Sequence, residues 1–187
     1  MIKIINYRFT APEDAVVINT TSRSDTFGRG LSPFLIGPCK LYGNYISKNC
    51  ENGWQFSKCY EYYLEDDGSI GERYFNWAQT GWNDIRAHRY PMGRDTKPLY
   101  SYWDGEKLDY VSARKKIYIP LYSEAVSKTN AWKELKSLYN PNKLIYLQDF
   151  DAHNLEPGTF DYWDLWNNPS IKVGHAYVLA MMLEGKL

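Results

Sequence analysis

The feature that most constrains this chain is its aromatic load: 17 Tyr, 7 Phe and 7 Trp make up 17% of the sequence. Such rings are expected first in the core, while their flat faces are also available for stacking on a ligand. A chain of 187 residues accommodates one such core and is short for two domains. We therefore expect a single domain, 1–187. Hydrophobic residues at 44% and charged residues at 24% exclude a disordered tail, a collagen or a coiled-coil rod.

The apolar residues come in short runs. The longest, Ala176 to Leu183, falls well below the about 18 residues of a membrane span. The N-terminus alternates apolar and polar residues and lacks the apolar region and cleavage site of a signal peptide. Cys39, Cys50 and Cys59 form an odd set without C-x-x-C spacing, which reads as packed, reduced thiols. The expectation is no membrane and a cytoplasmic protein. Richness in Asn, Lys, Tyr and Ile is the wording of an AT-rich genome, and for a viral chain the compartment becomes the host cytoplasm. Twenty-two basic residues balance twenty-two acidic ones, which argues against bulk electrostatic binding of nucleic acid.

Periodicity and punctuation predict strands over 3–9 and 15–19, a Ser-, Gly- and Pro-rich loop over 20–49, and a helix over 50–64 capped by Asn49. A helical or mixed segment over 74–85 follows, then a loop with Pro91, Gly93 and Pro98. Residues 110–118 read as helical, with Pro120 breaking or kinking the pattern. A longer helix over 121–139 ends at Asn140-Pro141-Asn142, a buried strand covers 144–147, and a closing helix covers 174–183. Helices dominate with a few short strands, so the expected class is mainly α (α+β).

Polar chemistry concentrates in 51–62. Glu51, Gln55, Lys58 and Tyr62 fall at i, i+4, i+7 and i+11, one face of the predicted helix. Such a stripe usually faces solvent. Here Trp54 stands beside it, and the preceding segment from Arg23 to Phe34 carries glycines that allow close backbone approach to a ligand, so the stripe also reads as a pocket wall.

Ser32-Pro33-Phe34 followed by Glu51-x-x-Trp54-Gln55-x-x-Lys58 resembles the NADAR family, the YbiA-like N-glycosidases, whose signature is Ser-x-Phe and then Glu-His-x-Tyr-Gln-x-x-Lys at a helix start. The strand segment Leu144 to Asp151 and the Gly174-His175 to Leu183 stretch follow in the family's order, while 66–109 aligns with nothing in it. Asn52 stands where the family has His, which bears on how the leaving base is handled, and Trp54 replaces Tyr. The resemblance implies cleavage of an N-glycosidic bond in an ADP-ribosylated guanine, in DNA or as a nucleotide, or in a riboflavin-pathway intermediate; the lack of dinucleotide, P-loop and zinc motifs in the chain predicts no metal and no tightly held cofactor. It implies Glu51 as the carboxylate that stabilises an oxocarbenium-like sugar and activates water. Lys58 either holds phosphate or ribose oxygens or attacks the opened sugar as an amine, and Gln55 orients one of the two. An acidic residue at Asp149 or Asp151 completes the pocket.

Other candidates come from residue type. Arg23 and Arg29 suit phosphate oxygens, Trp82 and Trp103 suit a stacked base, and His175 lies in the closing segment. Arg86, His88, Arg89, Arg94 and Lys97 form the one local basic cluster able to grip a polyphosphate or a DNA or RNA backbone. The chain lacks G-x-G-x-x-G, P-loop, G-x-S-x-G and H-E-x-x-H motifs. Two other readings compete: a nucleotide- or ADP-ribose-binding module without chemistry, and a small inhibitor acting through an aromatic surface.

Overall fold

The computed structural model describes residues 1–187. Strand β1 (Ile2–Asn6) is followed by β2 (Val16–Asn19), a 3-10 turn at Phe27–Leu31, and the short strands β3 (Cys39–Lys40) and β4 (Ile46–Ser47). Helix α1 (Cys50–Gln55), strand β5 (Lys58–Cys59) and helix α2 (Glu72–Asn83) come next, then β6 (Tyr100–Trp103) and β7 (Glu106–Leu108). Helix α3 (Tyr110–Ala113) runs through a π turn at Arg114–Tyr118 into α4 (Ile119–Ser127), and α5 (Asn130–Leu138), β8 (Ile145–Asp149), α6 (Tyr162–Asn167) and α7 (His175–Leu183) complete the chain. This is an α+β domain in which no helix is long and apolar enough to cross a membrane.

The central sheet is parallel, in the order β1-β8-β2, with Leu147 of β8 opposite both Ile4 and Ile18. β8 is the strand with partners on both sides, and its near-continuous apolar run suits that position. Helix α7 packs on β8, β1 and α4, and every residue from His175 to Met181 is buried. It is apolar around its whole circumference because it is a core helix. Both β3–β4 and β5-β6-β7 are small antiparallel sheets flanking α1 and α2.

Several boundaries differ from the sequence reading, each for a visible reason. The helix predicted over 50–64 stops at Gln55, and the chain turns at Phe56 to place Lys58 and Cys59 beside β6, so Lys58 and Tyr62 are not on α1. Pro120 does not break its helix: the π turn resets the hydrogen bonding so that Pro120 falls in the first turn of α4, where its missing N–H costs nothing. The helix predicted over 121–139 divides at Lys128, because Thr129 caps α5 by accepting from the Trp132 N–H.

The aromatics pack in several groups. One lies between α2 and the small sheets, where Tyr42 meets Trp103 edge to face at 4.9 Å and Tyr45 meets Trp82 at 5.1 Å. Trp82 and Trp103, considered above as base-stacking residues, belong to this group. The three cysteines are free and buried. The glycines of the 23–34 segment approach the protein rather than a ligand: a side chain at Gly28 would overlap the Asn19 carbonyl, and one at Gly30 would press on Ala131.

Because the obstacle at Gly28 is backbone of β2, Gly28→Ala is expected to cost about 1–3 kcal/mol, in the range of overpacked cores, and to lower the melting temperature in thermal unfolding. A wild-type melting temperature would show that the 3-10 turn can lift away from β2 freely.

Candidate functional site

A cavity of about 570 Å³ opens where the three parallel strands end. Tyr7 follows β1, Thr21 to Arg23 follow β2, and Asp149 to Asp151 end β8, and all of them line it. Ligands of α/β sheets commonly bind at the carboxyl ends of strands. The remaining wall comes from the Ser32–Phe34 loop, α1, the loop after α2, the π turn and the segment before α7.

Helix α1 enters this wall through its capping. The Cys50 N–H donates to the Ile36 carbonyl at 2.8 Å, Glu51 N–H to the Pro33 carbonyl at 2.9 Å, and Asn52 N–H to Asn49 Oδ1 at 2.8 Å. The first three N–H groups, orphans in any helix, are thereby paired, and the pairing binds the Ser32-Pro33-Phe34 loop against Glu51. Tyr122 Oη fixes the same loop by donating to the Leu31 carbonyl at 2.6 Å.

Glu51 and Gln55 are 5% and 6% exposed, so the polar stripe is a buried wall and not a solvated face. Gln55 Nε2 donates to Glu51 Oε1 at 2.9 Å, and Lys58 Nζ donates to Gln55 Oε1 at 2.6 Å. The amide thus bridges a carboxylate and an amine that do not touch each other. The ammonium also lies 4.9 Å over the Trp54 ring, and Trp54 packs on Tyr118 at 5.4 Å. Oε2 of Glu51 takes no hydrogen bond from the protein. Burial pushes the Glu51 carboxyl above its ordinary range, against the pull of the Gln55 hydrogen bond and the charges of Lys58, Arg89 and His175. Burial brings the Lys58 amine down to about 8, opposed by Glu51 and assisted by Lys172. A carboxyl raised and an amine lowered in one cleft are tuned toward neutral-pH proton chemistry.

Asp149 has a different set of partners. Its Oδ1 accepts from the Phe150 N–H at 2.6 Å, and its Oδ2 accepts from the Ala176 N–H at 3.2 Å and lies 3.2 Å from His175 Nδ1. It caps α7 from the neighbouring strand, and Gly174 is glycine because a Cβ there would overlap Asp149 Oδ2. His175 Nε2 lies 2.9 Å from the Thr20 carbonyl, which only accepts, so that nitrogen carries a proton. Asp149 and His175 therefore hold the ends of β2, β8 and α7 together at the cavity floor. Asp151 instead pairs with Arg89 at 2.7 Å.

Of the residues expected from sequence, Glu51, Lys58, Asp149, Asp151, Arg23, Ser32, Phe34, Trp54, Gln55 and His175 line this one cavity. Arg29 and Trp103 do not: Arg29 is exposed on the 3-10 turn, and Trp103 packs in the aromatic group around Tyr42. The basic cluster divides. Arg89 and Arg94 line the cavity, while Arg86 and Lys97 are exposed elsewhere and His88 pairs with Asp84 at 2.7 Å. Sequence reasoning missed Tyr90, Tyr110, Arg114, Tyr118 and Lys172. Only Tyr90, inside the basic cluster, carried a local signal.

Asn52 does not reach the cavity, which corrects the expectation that it bears on the leaving base. It is fully buried on the opposite side of α1. Its Nδ2 lies within 3.0 Å of the carbonyls of Gly81, Asp84 and Arg86, and its Oδ1 accepts from the His88 N–H at 2.8 Å. One side chain thus fixes the loop that delivers Arg89 and Tyr90. No three His, Cys, Asp or Glu side chains converge to hold a metal ion.

Asn52→Leu, similar in size, leaves those loop groups unpaired at about 1–3 kcal/mol each. We expect a lower urea midpoint and accelerated hydrogen exchange at the His88 amide, and exchange at the wild-type rate would show that the loop is held by other contacts. Comparison of the chain with protein-family models, with curated proteins and with solved structures returned no match in any of the three.

Proposed function

We propose that the protein is an N-glycosidase that hydrolyses the bond between a ribose carbon and a base nitrogen, in an ADP-ribose conjugate such as ADP-ribosylated guanine or in a ribosylated intermediate of the riboflavin type. The observation that carries this reading is the buried Glu51–Gln55–Lys58 bridge in a cavity walled by Trp54, Phe34 and Tyr118. The resemblance of these residues to the NADAR signature supports it independently of their geometry.

Cleavage of such a bond leaves its electron pair on the base nitrogen, which takes up a proton, while positive charge develops at the anomeric carbon. A carboxylate with one oxygen unpartnered in a water-poor site stabilises that charge strongly. Glu51 has this form, and its raised pKa makes it a competent base for the water that completes hydrolysis. Lys58 is fixed by Gln55 and by the Trp54 ring, and with a pKa of about 8 it spends part of its time as the free amine at neutral pH. That favours the free amine over a fixed point charge. The amine adds to C1 of the ring-opened sugar, and the bond from C1 to the base nitrogen breaks as the Lys58 imine forms. The proton shed by the amine goes to the departing base nitrogen, and the water activated by Glu51 then hydrolyses the imine to free Lys58. Phe34, half-buried at the cavity wall, offers a face for the base. Asp149, with both oxygens engaged, positions α7 rather than transferring protons. A cytoplasmic location is part of the same proposal.

Incubation with ADP-ribosylated guanine nucleotide or DNA, or with a ribosylaminopyrimidine, is expected to release free base detectable by chromatography. Glu51→Gln is expected to reduce release at least a hundredfold, and turnover surviving in that variant would overturn the assignment of roles. Borohydride added during turnover is expected to link the sugar to Lys58, as read by peptide mass.

The same variant tests the burial argument. A carboxyl whose pKa is raised above its ordinary 4.5 on folding contributes stability below that value and loses it as pH rises through the folded pKa. Glu51→Gln, which cannot ionise, is therefore expected to melt higher than wild type at pH 7–8 and to lose that advantage below pH 4, as followed by thermal unfolding across pH. Wild-type activity is expected to rise between pH 6 and 8 as Lys58 loses its proton.

A further inference from the structure

In the N-glycosidase reading, opening of the sugar ring comes before imine formation at Lys58, and it needs a proton at the ring oxygen. Glu51 acts there as a carboxylate and Lys58 as a free amine, while the Nε2 proton of His175 goes to the Thr20 carbonyl. The hydroxyl of Tyr118 is free for this task.

Four tyrosines line the cavity: Tyr7, Tyr90, Tyr110 and Tyr118. Three of the hydroxyls accept from a cation, Tyr7 Oη from Arg8 at 2.8 Å, Tyr90 Oη from Lys172 at 3.3 Å and Tyr110 Oη from Arg114 at 2.8 Å. Tyr7 and Tyr110 are exposed and Tyr90 is half-buried, so water reaches them as well. Tyr118, the last residue of the π turn, is 7% exposed, and its hydroxyl makes no hydrogen bond with the protein. The fully enclosed side-chain atoms without a partner are Tyr42 Oη, Trp82 Nε1 and Tyr100 Oη, so Tyr118 Oη is not sealed in the core but opens onto the cavity. A buried hydroxyl without a partner weakens folding and is kept where a ligand supplies the partner.

Tyr122, one turn further on, shows the alternative. Its ring lies 6.3 Å from that of Tyr118 and within 10° of parallel, yet its hydroxyl is spent on the Leu31 carbonyl. The Tyr118 ring is held between Tyr122, Trp54 at 5.4 Å and Trp166 at 6.1 Å, which fixes where its oxygen stands. Burial, and then the charges of Glu51 and Asp149, push the phenol well above its ordinary range. It therefore keeps its proton throughout the range in which Lys58, at about 8, loses its own.

We propose that Tyr118 is the catalytic acid of ring opening and donates to the ring oxygen of the sugar. As the bond from C1 to that oxygen breaks, its electron pair passes to the oxygen, which takes the Tyr118 proton, and the lone pair of the base nitrogen closes a double bond to C1. The Lys58 iminium that forms next balances the phenolate in charge. Water that hydrolyses the iminium leaves its oxygen on C1, one proton on the Lys58 nitrogen and one on Tyr118, so both residues return to their starting forms. The role rests on the N-glycosidase reading and adds to it a residue outside the Glu51–Gln55–Lys58 bridge.

Tyr118→Phe tests the role. Having no hydrogen bond to lose, the variant is expected to melt at or above the wild-type temperature, whereas Tyr122→Phe, which leaves the Leu31 carbonyl without its donor, is expected to melt lower. With a substrate that the wild type cleaves, Tyr118→Phe is expected to lose about a hundredfold or more in kcat while KM stays within about twofold. Borohydride is expected to trap correspondingly less sugar on Lys58, because the ring has to open before the imine forms. A lowered melting temperature with unchanged kcat would show the hydroxyl to be structural, and wild-type trapping with slow release would place Tyr118 after imine formation. Either result overturns the inference and leaves the N-glycosidase reading standing. A wild-type chain that releases no base from any of these substrates overturns that reading and this role with it, so the wild type alone tells the two failures apart.

Discussion

Everything at the cavity depends on a six-residue helix that is buried on all sides. Alone, a helix of this length has no stability in water, because nucleation costs more than a single turn returns. Here α1 is held by its surroundings: its first N–H groups go to Ile36, Pro33 and Asn49, and Ser57 Oγ donates to the Trp54 carbonyl at its far end. A side chain at Gly53 would press on Leu121 and Leu41. Such a helix has no solvent face, so its polar residues must find partners or serve a ligand. Asn52 takes the first course, and Glu51 has one oxygen bonded to Gln55 while its side chain lines the cavity.

This arrangement explains how one short motif serves two purposes. Glu51 and Gln55, four residues apart, look into the cavity with Lys58, while Asn52 looks the other way and fixes the loop of Arg89 and Tyr90. The two sides of α1 thereby set the two walls of one cleft. A glutamine between a carboxylate and an amine also keeps them from forming a direct ion pair. A direct pair would hold both groups charged, whereas the bridge leaves burial as the larger influence on each.

How much of this was legible depends on whether the signal was local. The α+β class, the Asn49 cap, β8 and α7 could be read because each is marked by adjacent residues: a capping side chain, an apolar run, a buried segment behind a glycine. The ends of α1 and of the predicted 121–139 helix could not, since the turn at Phe56 is set by pairing of Lys58 with Ser101 and the break at Lys128 by Thr129 acting as a cap inside an otherwise helical pattern. Spacing put Lys58 with Glu51 and Gln55, although for the wrong reason: Lys58 reaches Gln55 from a strand and not from the next turn of a helix. Arg29, three residues before Ser32, carried the same local signal as Arg23, yet only Arg23 follows β2 closely enough to face the strand ends.

Arg114 and Lys172 were invisible for a further reason. Arg114-Lys115-Lys116 lies inside the segment read as helical over 110–118, and nothing in the chain marks Arg114 as the buried member. The π turn inserts a residue's worth of rotation between α3 and α4, which turns Arg114 inward while Lys116 stays outside to pair with Glu106 at 2.6 Å. Once inward, Arg114 meets the carbonyls that α6 and the following segment leave unpaired, at Asn168 and Ile171, and so ties that segment to the helix. The tie stabilises the cavity wall but leaves a full positive charge at its surface.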